Sequence, residues 1–276
     1  MSGSGPSFDL HAVERAAQGL RLALPRGPHR GRIGEVRAAS TGASMEIHDF
    51  RPYHPGDDLR QIDWNAVART GDLVLRVRQE EVSPRVEVLL DGSRSMALTP
   101  EKSARARELA LLFTRIAARQ GLDPAFFLYS AKPERTVGEG AQALLARAEL
   151  DGEDDLASAL RRAPPLRPCG VRIVISDLLF ETELGRMTEW LSRGASSLAF
   201  VQLLDAEDLA PVGGFGAQLV DVERDAALER VLSPAVLRAY HRRLDEHQQL
   251  LRAAASRVGA TLLTVSAALD VAELAR

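Results

Sequence analysis

Residues 85–96 read RVEVLLDGSRSM, and residues 101–120 continue as EKSARARELALLFTRIAARQ. The first seven residues are an apolar run of strand length, the next five a tight polar loop, and the stretch beyond Pro100 spaces its apolar residues as an amphipathic helix of about five turns. The unit is strand, loop, helix. The same alternation continues in both type and order. Strand-like PAFFLYS (124–130) is followed by helix-like AQALLARAEL (141–150) and LASALRRA (156–163). Strand VRIVISD (171–177) precedes helix ETELGRMTEWLSR (181–193), and strand SLAFVQLLD (197–205) precedes a short strand near AQLVDV (217–222). A long helix from about Pro234 to Val258 and strand ATLLTVS (260–266) complete the series.

Apolar strands alternating with helices predict a mostly parallel sheet covered on both faces, a doubly wound α/β fold of the Rossmann type. Ligands of such sheets sit at the carboxyl ends of the strands. Two predicted strands end there in an aspartate, Asp91 and Asp177. Asp91, Ser93 and Ser95 form D-x-S-x-S in the loop that follows. Two hydroxyls and water-mediated carboxylates suit a hard cation such as Mg²⁺, with coordination positions left open. The same residue types also cap helices, so spacing alone leaves both readings standing.

Upstream, FDLHAVERAAQGLRLAL (8–24) predicts an amphipathic helix that Pro25 ends, and residues 26–44 a loop rich in Gly, Arg and Ser. NAVARTGDLVLRVRQEE (65–81) alternates apolar and polar residues on either side of Thr-Gly-Asp, which predicts a β-hairpin. Between them lies RPYHPGDDLRQIDW (51–64), where charge is too dense to bury unpaired. Asp57, Asp58 and Asp63 are expected to pair with Arg51, Arg60 and Arg69, so that the stretch is a brace. In this reading Pro55-Gly56 makes a turn, Asp57 or Asp58 caps a helical turn, and Trp64 anchors the hairpin. The alternative is a docking face that includes Tyr53 and Trp64.

The 276 residues carry 35 basic and 38 acidic side chains, a net charge of −3, which gives no general attraction to nucleic acid or anionic lipid. Cys169 alone excludes an internal disulfide framework and suits a reducing compartment; with no apolar run near the ~20 residues of a membrane span and no secretory layout at the N-terminus, a cytoplasmic location is expected. There is no G-x-x-x-x-G-K-[ST], H-E-x-x-H or G-x-S-x-G motif. His241 and His247 are six apart, the wrong spacing for one helix face to chelate an ion. The enzymatic rival is a metal-dependent phosphoesterase built on Asp91, Asp154, Asp155 and Asp177.

DGSRSM after an apolar strand, with a later strand ending in Ser176-Asp177, resembles a von Willebrand factor A domain with its metal-ion-dependent adhesion site. RPYHPGDDLRQIDWNAVART followed by DGSRSM resembles, more narrowly, the bacterial domain-of-unknown-function fifty-eight family. The resemblance runs from about Gly31 to near the C-terminus, through LLDAEDL and LVDVE. It implies an A-like domain over residues 84–276 and an N-terminal region over 1–83 that packs on it. It also implies Mg²⁺, or Mn²⁺ or Ca²⁺, held directly by Ser93 and Ser95 and through water by Asp91 and Asp177.

Where the wider fold offers a threonine, this chain has Asp154, in Gly152-Glu153-Asp154-Asp155-Leu156. A carboxylate there either weakens recruitment of an acidic ligand or coordinates the ion itself and closes the site. Alternatively, Asp154 and Asp155 cap the helix that starts at Leu156. By the same resemblance the protein is a non-enzymatic adaptor that binds a client and a MoxR-type AAA+ ATPase. A purely structural adaptor with a vacant site is the remaining alternative.

Overall fold

The computed structural model describes residues 8–24, 47–53, 62–78, 85–163, 166–180, 184–211, 218–221, 226–229 and 233–275. In chain order the elements are α1 (Leu10–Gly19), β1 (Ile47–Pro52), α2 (Trp64–Thr70), β2 (Val74–Arg78), β3 (Arg85–Asp91), α3 (Pro100–Arg119), β4 (Asp123–Tyr129) and β5 (Glu134–Val137). Then follow α4 (Gly140–Arg147), α5 (Leu156–Arg162), β6 (Cys169–Ser176), α6 (Leu184–Ser192), β7 (Ala195–Leu204), α7 (Ala206–Leu209), β8 (Gln218–Asp221), β9 (Ala226–Glu229), α8 (Pro234–Arg257) and β10 (Thr261–Ser266). The chain forms two compact units, one of residues Met1–Gly27 with Pro84–Arg276 and one of Pro28–Ser83.

In the larger unit six strands run in the order β10-β7-β6-β3-β4-β5, all parallel except the edge strand β5. Strand β6 is buried along its whole length and β3 from Val86 onward, as central strands covered on both faces must be. One face carries Val86, Val88, Leu90, Val171 and Ile173 and packs against α1, α3 and α4. The opposite face carries Leu89, Val174 and Phe200 and packs against α5, α6 and α8. The fold is therefore doubly wound α/β, as the alternation predicts. The crossing of the chain from one face to the other leaves the carboxyl ends of β3 and β6 side by side, paired in register from Val86↔Val171 to Leu90↔Ile175.

That register also aligns Glu87 with Arg172, two charged side chains in the middle of apolar strands and wholly buried. The Arg172 guanidinium donates twice to Glu87 Oε2, at 2.9 and 2.8 Å, and its remaining N–H groups reach the carbonyls of Leu191, Arg193 and Arg167. Glu87 Oε1 is left without a hydrogen-bond partner.

Helix α1 ends at Gly19, short of the expected limit at Pro25. Residues beyond Leu20 leave the helix because the side-chain amide of Gln120 offers the backbone an alternative: it accepts from Leu22 N at 2.7 Å and donates to Leu22 O at 3.2 Å. Asp9 caps the start through Ala12 N, and its own N–H donates to Glu108 Oε1 at 2.8 Å, which ties the helix to α3.

In the smaller unit β1 and β2 pair antiparallel, from Ile47↔Arg78 to Pro52↔Val74. The hairpin expected within 65–81 is not the one formed: residues 64–70 are helix α2, and β2 finds its partner upstream. The reason is local. Asp63 accepts from Asn65 N and Ala66 N and so caps the start of α2, and Gly71 at φ 80° closes the helix in a left-handed conformation.

A candidate metal site at the carboxyl edge of the sheet

Asp91 ends β3 in a fully buried position. Its Oδ1 accepts from Ser93 N at 3.0 Å, and its Oδ2 accepts from the hydroxyl of Ser176, the last residue of β6, at 2.6 Å. The Ser93 and Ser95 hydroxyls lie 3.0 Å apart, where the loop turns into a short 3-10 turn over Arg94–Ala97. The loop is held from both sides. A Cβ on Gly92 would sit 2.9 Å from the backbone of Ser130, so only glycine fits against the end of β4. Arg94 N donates to Gly152 O and Gly152 N to Gly92 O, both at 2.9 Å, and Arg94 pairs with Glu153 at 2.8 Å. D-x-S-x-S thus presents its two hydroxyls on a fixed backbone.

Burial, reinforced by the Asp177 carboxylate, raises the pKa of Asp91 to about 7, although hydrogen bonds from Ser176 and Ser93 pull the other way. Asp177 follows β6 and is buried too. Its backbone carbonyl accepts from Gln202 Nε2 at 2.9 Å; the Gln202 carbonyl oxygen in turn accepts from Gln248 of α8 and Thr264 of β10. The next residue, Leu178, is fully buried at φ 55°, a strained conformation for a side chain with a Cβ. Its N–H donates to Ser176 Oγ and its carbonyl lies 2.6 Å from His247 Nε2. Several elements therefore fix the backbone that carries Asp177.

Lys102, in the first turn of α3, is 1% exposed. Its ammonium donates to Asp177 Oδ2 at 3.1 Å and to Asp208 Oδ2 at 3.2 Å. Burial alone would lower its pKa, but the Asp177 and Asp208 carboxylates reverse that and raise it. Thr99, the N-cap of α3, donates to Asp205 Oδ2 at 2.6 Å, and Asp205 and Asp208 form a capping box at α7. No motif announces Lys102; the hint available was a cationic residue in the first turn of a helix, where the helix dipole disfavours it.

The acidic residue at the threonine position has a cationic partner of its own. Asp154 is bonded to Arg162 of α5, on the surface. Asp155 caps α5 by accepting from Ser158 N at 2.6 Å. Of the four carboxylates of the phosphoesterase reading, Asp91 and Asp177 lie at the strand ends, and Asp154 and Asp155 immediately precede α5. Of the brace, Asp57, Asp58 and Arg60 lie outside the described residues, as does the Arg51 side chain. Tyr53 N continues the β1–β2 pairing to Leu73 O, and Arg69 Nε donates to Asn65 O at 3.3 Å. Asp63 is a helix cap, and Trp64 is 63% exposed at the first position of α2, so it does not anchor a core.

Among the described residues no three His, Cys, Asp or Glu side chains converge to hold a metal ion. What converges is a pair of hydroxyls beside buried carboxylates, an oxygen donor set that fits a hard divalent ion keeping several waters and not zinc. Ser93, Ser95, Asp91 and Asp177 are the residues that would hold it.

Fold and site together define a doubly wound α/β protein with a serine- and aspartate-lined loop at the carboxyl edge of its sheet. The chain belongs to the family described as protein of unknown function DUF58, which matches residues 49–250. Nothing among curated proteins matches it. Similar solved structures include an aerotolerance-related membrane protein from Bacteroides fragilis NCTC 9343 with multiple mutations to serines, at 12% identity and a TM-score of 0.41. Another is the conserved hypothetical protein BatB from Bacteroides thetaiotaomicron, at 13% identity and 0.40. Each alignment covers 70% of this chain and 95% of the other. Among the described residues no helix is long and apolar enough to cross a membrane.

Proposed function

We propose that the protein is a non-enzymatic interaction module of the cytoplasm that binds a divalent cation, Mg²⁺ or Mn²⁺, at a von Willebrand factor A-like adhesion site and uses it to capture a partner protein. The observation that carries the reading is the Ser93–Ser95 hydroxyl pair, 3.0 Å apart beside the buried Asp91, at the sheet edge where this fold class binds ligands. A cation there would act as an electrophile with open positions. Ser93 and Ser95 would orient it, Asp91 and Asp177 would hold its waters, and a partner's carboxylate would complete it.

The resemblance of RPYHPGDDLRQIDWNAVART and DGSRSM to their family further points to a MoxR-type AAA+ ATPase as the working partner, with a client in assembly or maturation. The Asp154–Arg162 pair supports an open site, because it gives that carboxylate a cationic partner other than the metal. Capture of such an ATPase that is lost with chelator and in the Ser93→Ala, Ser95→Ala variant is the expected result. Equal capture under all conditions would leave a structural adaptor instead.

A further inference from the structure

We propose that Lys102 is a resident counter-cation of this site, placed so that a divalent ion must compete with its ammonium for the Asp177 carboxylate. The inference rests on the metal-binding reading above and concerns what sets its strength. Asp91 and Asp177 bring two carboxylates to adjoining strand ends, and Lys102 lies 3.1 Å from the second of them with 1% of its surface exposed. A buried ammonium in the first turn of a 20-residue helix opposes the helix dipole, so its retention depends on the anions it meets.

Those anions are two. The second, Asp208, is locked in place: its Oδ2 also accepts from Asp205 N at 2.8 Å, and its carbonyl accepts from the Tyr240 hydroxyl at 2.6 Å. Lys102 is therefore also held by a fixed second carboxylate, and it can release Asp177 by relaxing toward Asp208. A divalent ion seated on Ser93 and Ser95 meets one uncompensated carboxylate, Asp91, and a like charge across the site. Such an ion binds weakly by itself and gains most when an additional carboxylate, supplied by a partner protein, joins it. Ion and acidic partner then bind as a pair.

The test is calorimetric titration of Mn²⁺ into the full chain as wild type and as Lys102→Met. Removing the ammonium is expected to tighten Mn²⁺ binding at least tenfold. Because Lys102→Met leaves the buried Asp177 and the half-buried Asp208 without their donor, the Lys102→Met, Asp208→Asn double variant, which removes one charge of each sign, carries the same expectation if the single variant does not fold. Equal or weaker binding in a folded variant, with the wild type binding, overturns the role of Lys102 and leaves the metal site intact. Absence of binding in the wild type and in both variants overturns the metal reading and this inference with it.

Discussion

The Ser176 hydroxyl donates to Asp91 Oδ2 across 2.6 Å, joining the last residues of the two central strands in a buried hydrogen bond. Ser176 Oγ also accepts from Leu178 N at 3.0 Å, so one hydroxyl links the carboxylate of β3 to the strained backbone after β6. Replacing Ser176 by alanine leaves a buried carboxylate oxygen and a buried N–H without their partner. The expected loss is about 1 to 3 kcal/mol in urea-induced unfolding. A Ser176→Ala protein as stable as the wild type would show that the bond is not made in solution.

Asp91 makes stability depend on pH in an unusual direction. Its pKa rises from 3.8 to about 7 in the folded state, so between those values the folded protein holds a proton that the unfolded chain releases. The contribution is fully present below the unfolded value and disappears as pH rises through about 7. Melting temperature should accordingly fall from pH 5 to pH 8 in metal-free buffer, with a slope from this group of up to about 1.4 kcal/mol per pH unit. Asp91→Asn, which cannot titrate, should flatten that component. Parallel profiles for the two proteins would contradict the assignment.

The Glu87–Arg172 pair is a second strand-to-strand link, far from water. Arg172→Met alone strands a buried carboxylate and is expected to cost about 3 to 5 kcal/mol. Combining it with Glu87→Gln removes the stranded charge and should recover much of the loss. Denaturant unfolding of the two single variants and the double variant measures the coupling, and simple additivity would mean that the side chains act independently.

Asp63→Ala tests the smaller unit. As the cap of α2, Asp63 is expected to contribute about 1 kcal/mol through the cap, and Asp63→Asn, which can still accept from Asn65 N and Ala66 N, should lose less than Asp63→Ala. Limited proteolysis within residues 28–83 reads the difference. Equal cleavage of the Ala and Asn variants would remove the cap from the account.

These expectations draw unevenly on the sequence. The sheet was legible because β3, β6 and β7 are apolar runs bounded by polar loops, and burial on both faces demands that composition. Strand β5, four residues of ERTV, gave no such signal because it is a half-exposed edge. NAVAR, ahead of Thr-Gly-Asp, read as a strand because its apolar residues alternate, a pattern that a two-turn helix capped by Asp63 and Gly71 also satisfies. Asp91 and Asp177 were legible from their positions after strands. Lys102 and the Glu87–Arg172 pair were not, since a charge within an amphipathic or apolar segment shows its partner only once the strands are set side by side.

The central claim is that the Ser93 and Ser95 hydroxyls hold a divalent cation. Calorimetric titration of Mn²⁺ into the wild-type protein and into the Ser93→Ala, Ser95→Ala variant tests it most directly. Saturable binding in the wild type that is lost in a folded variant is the expected result. Identical binding in the variant, or an absence of heat at millimolar Mn²⁺ in the wild type and in the Lys102 variants alike, would contradict the claim.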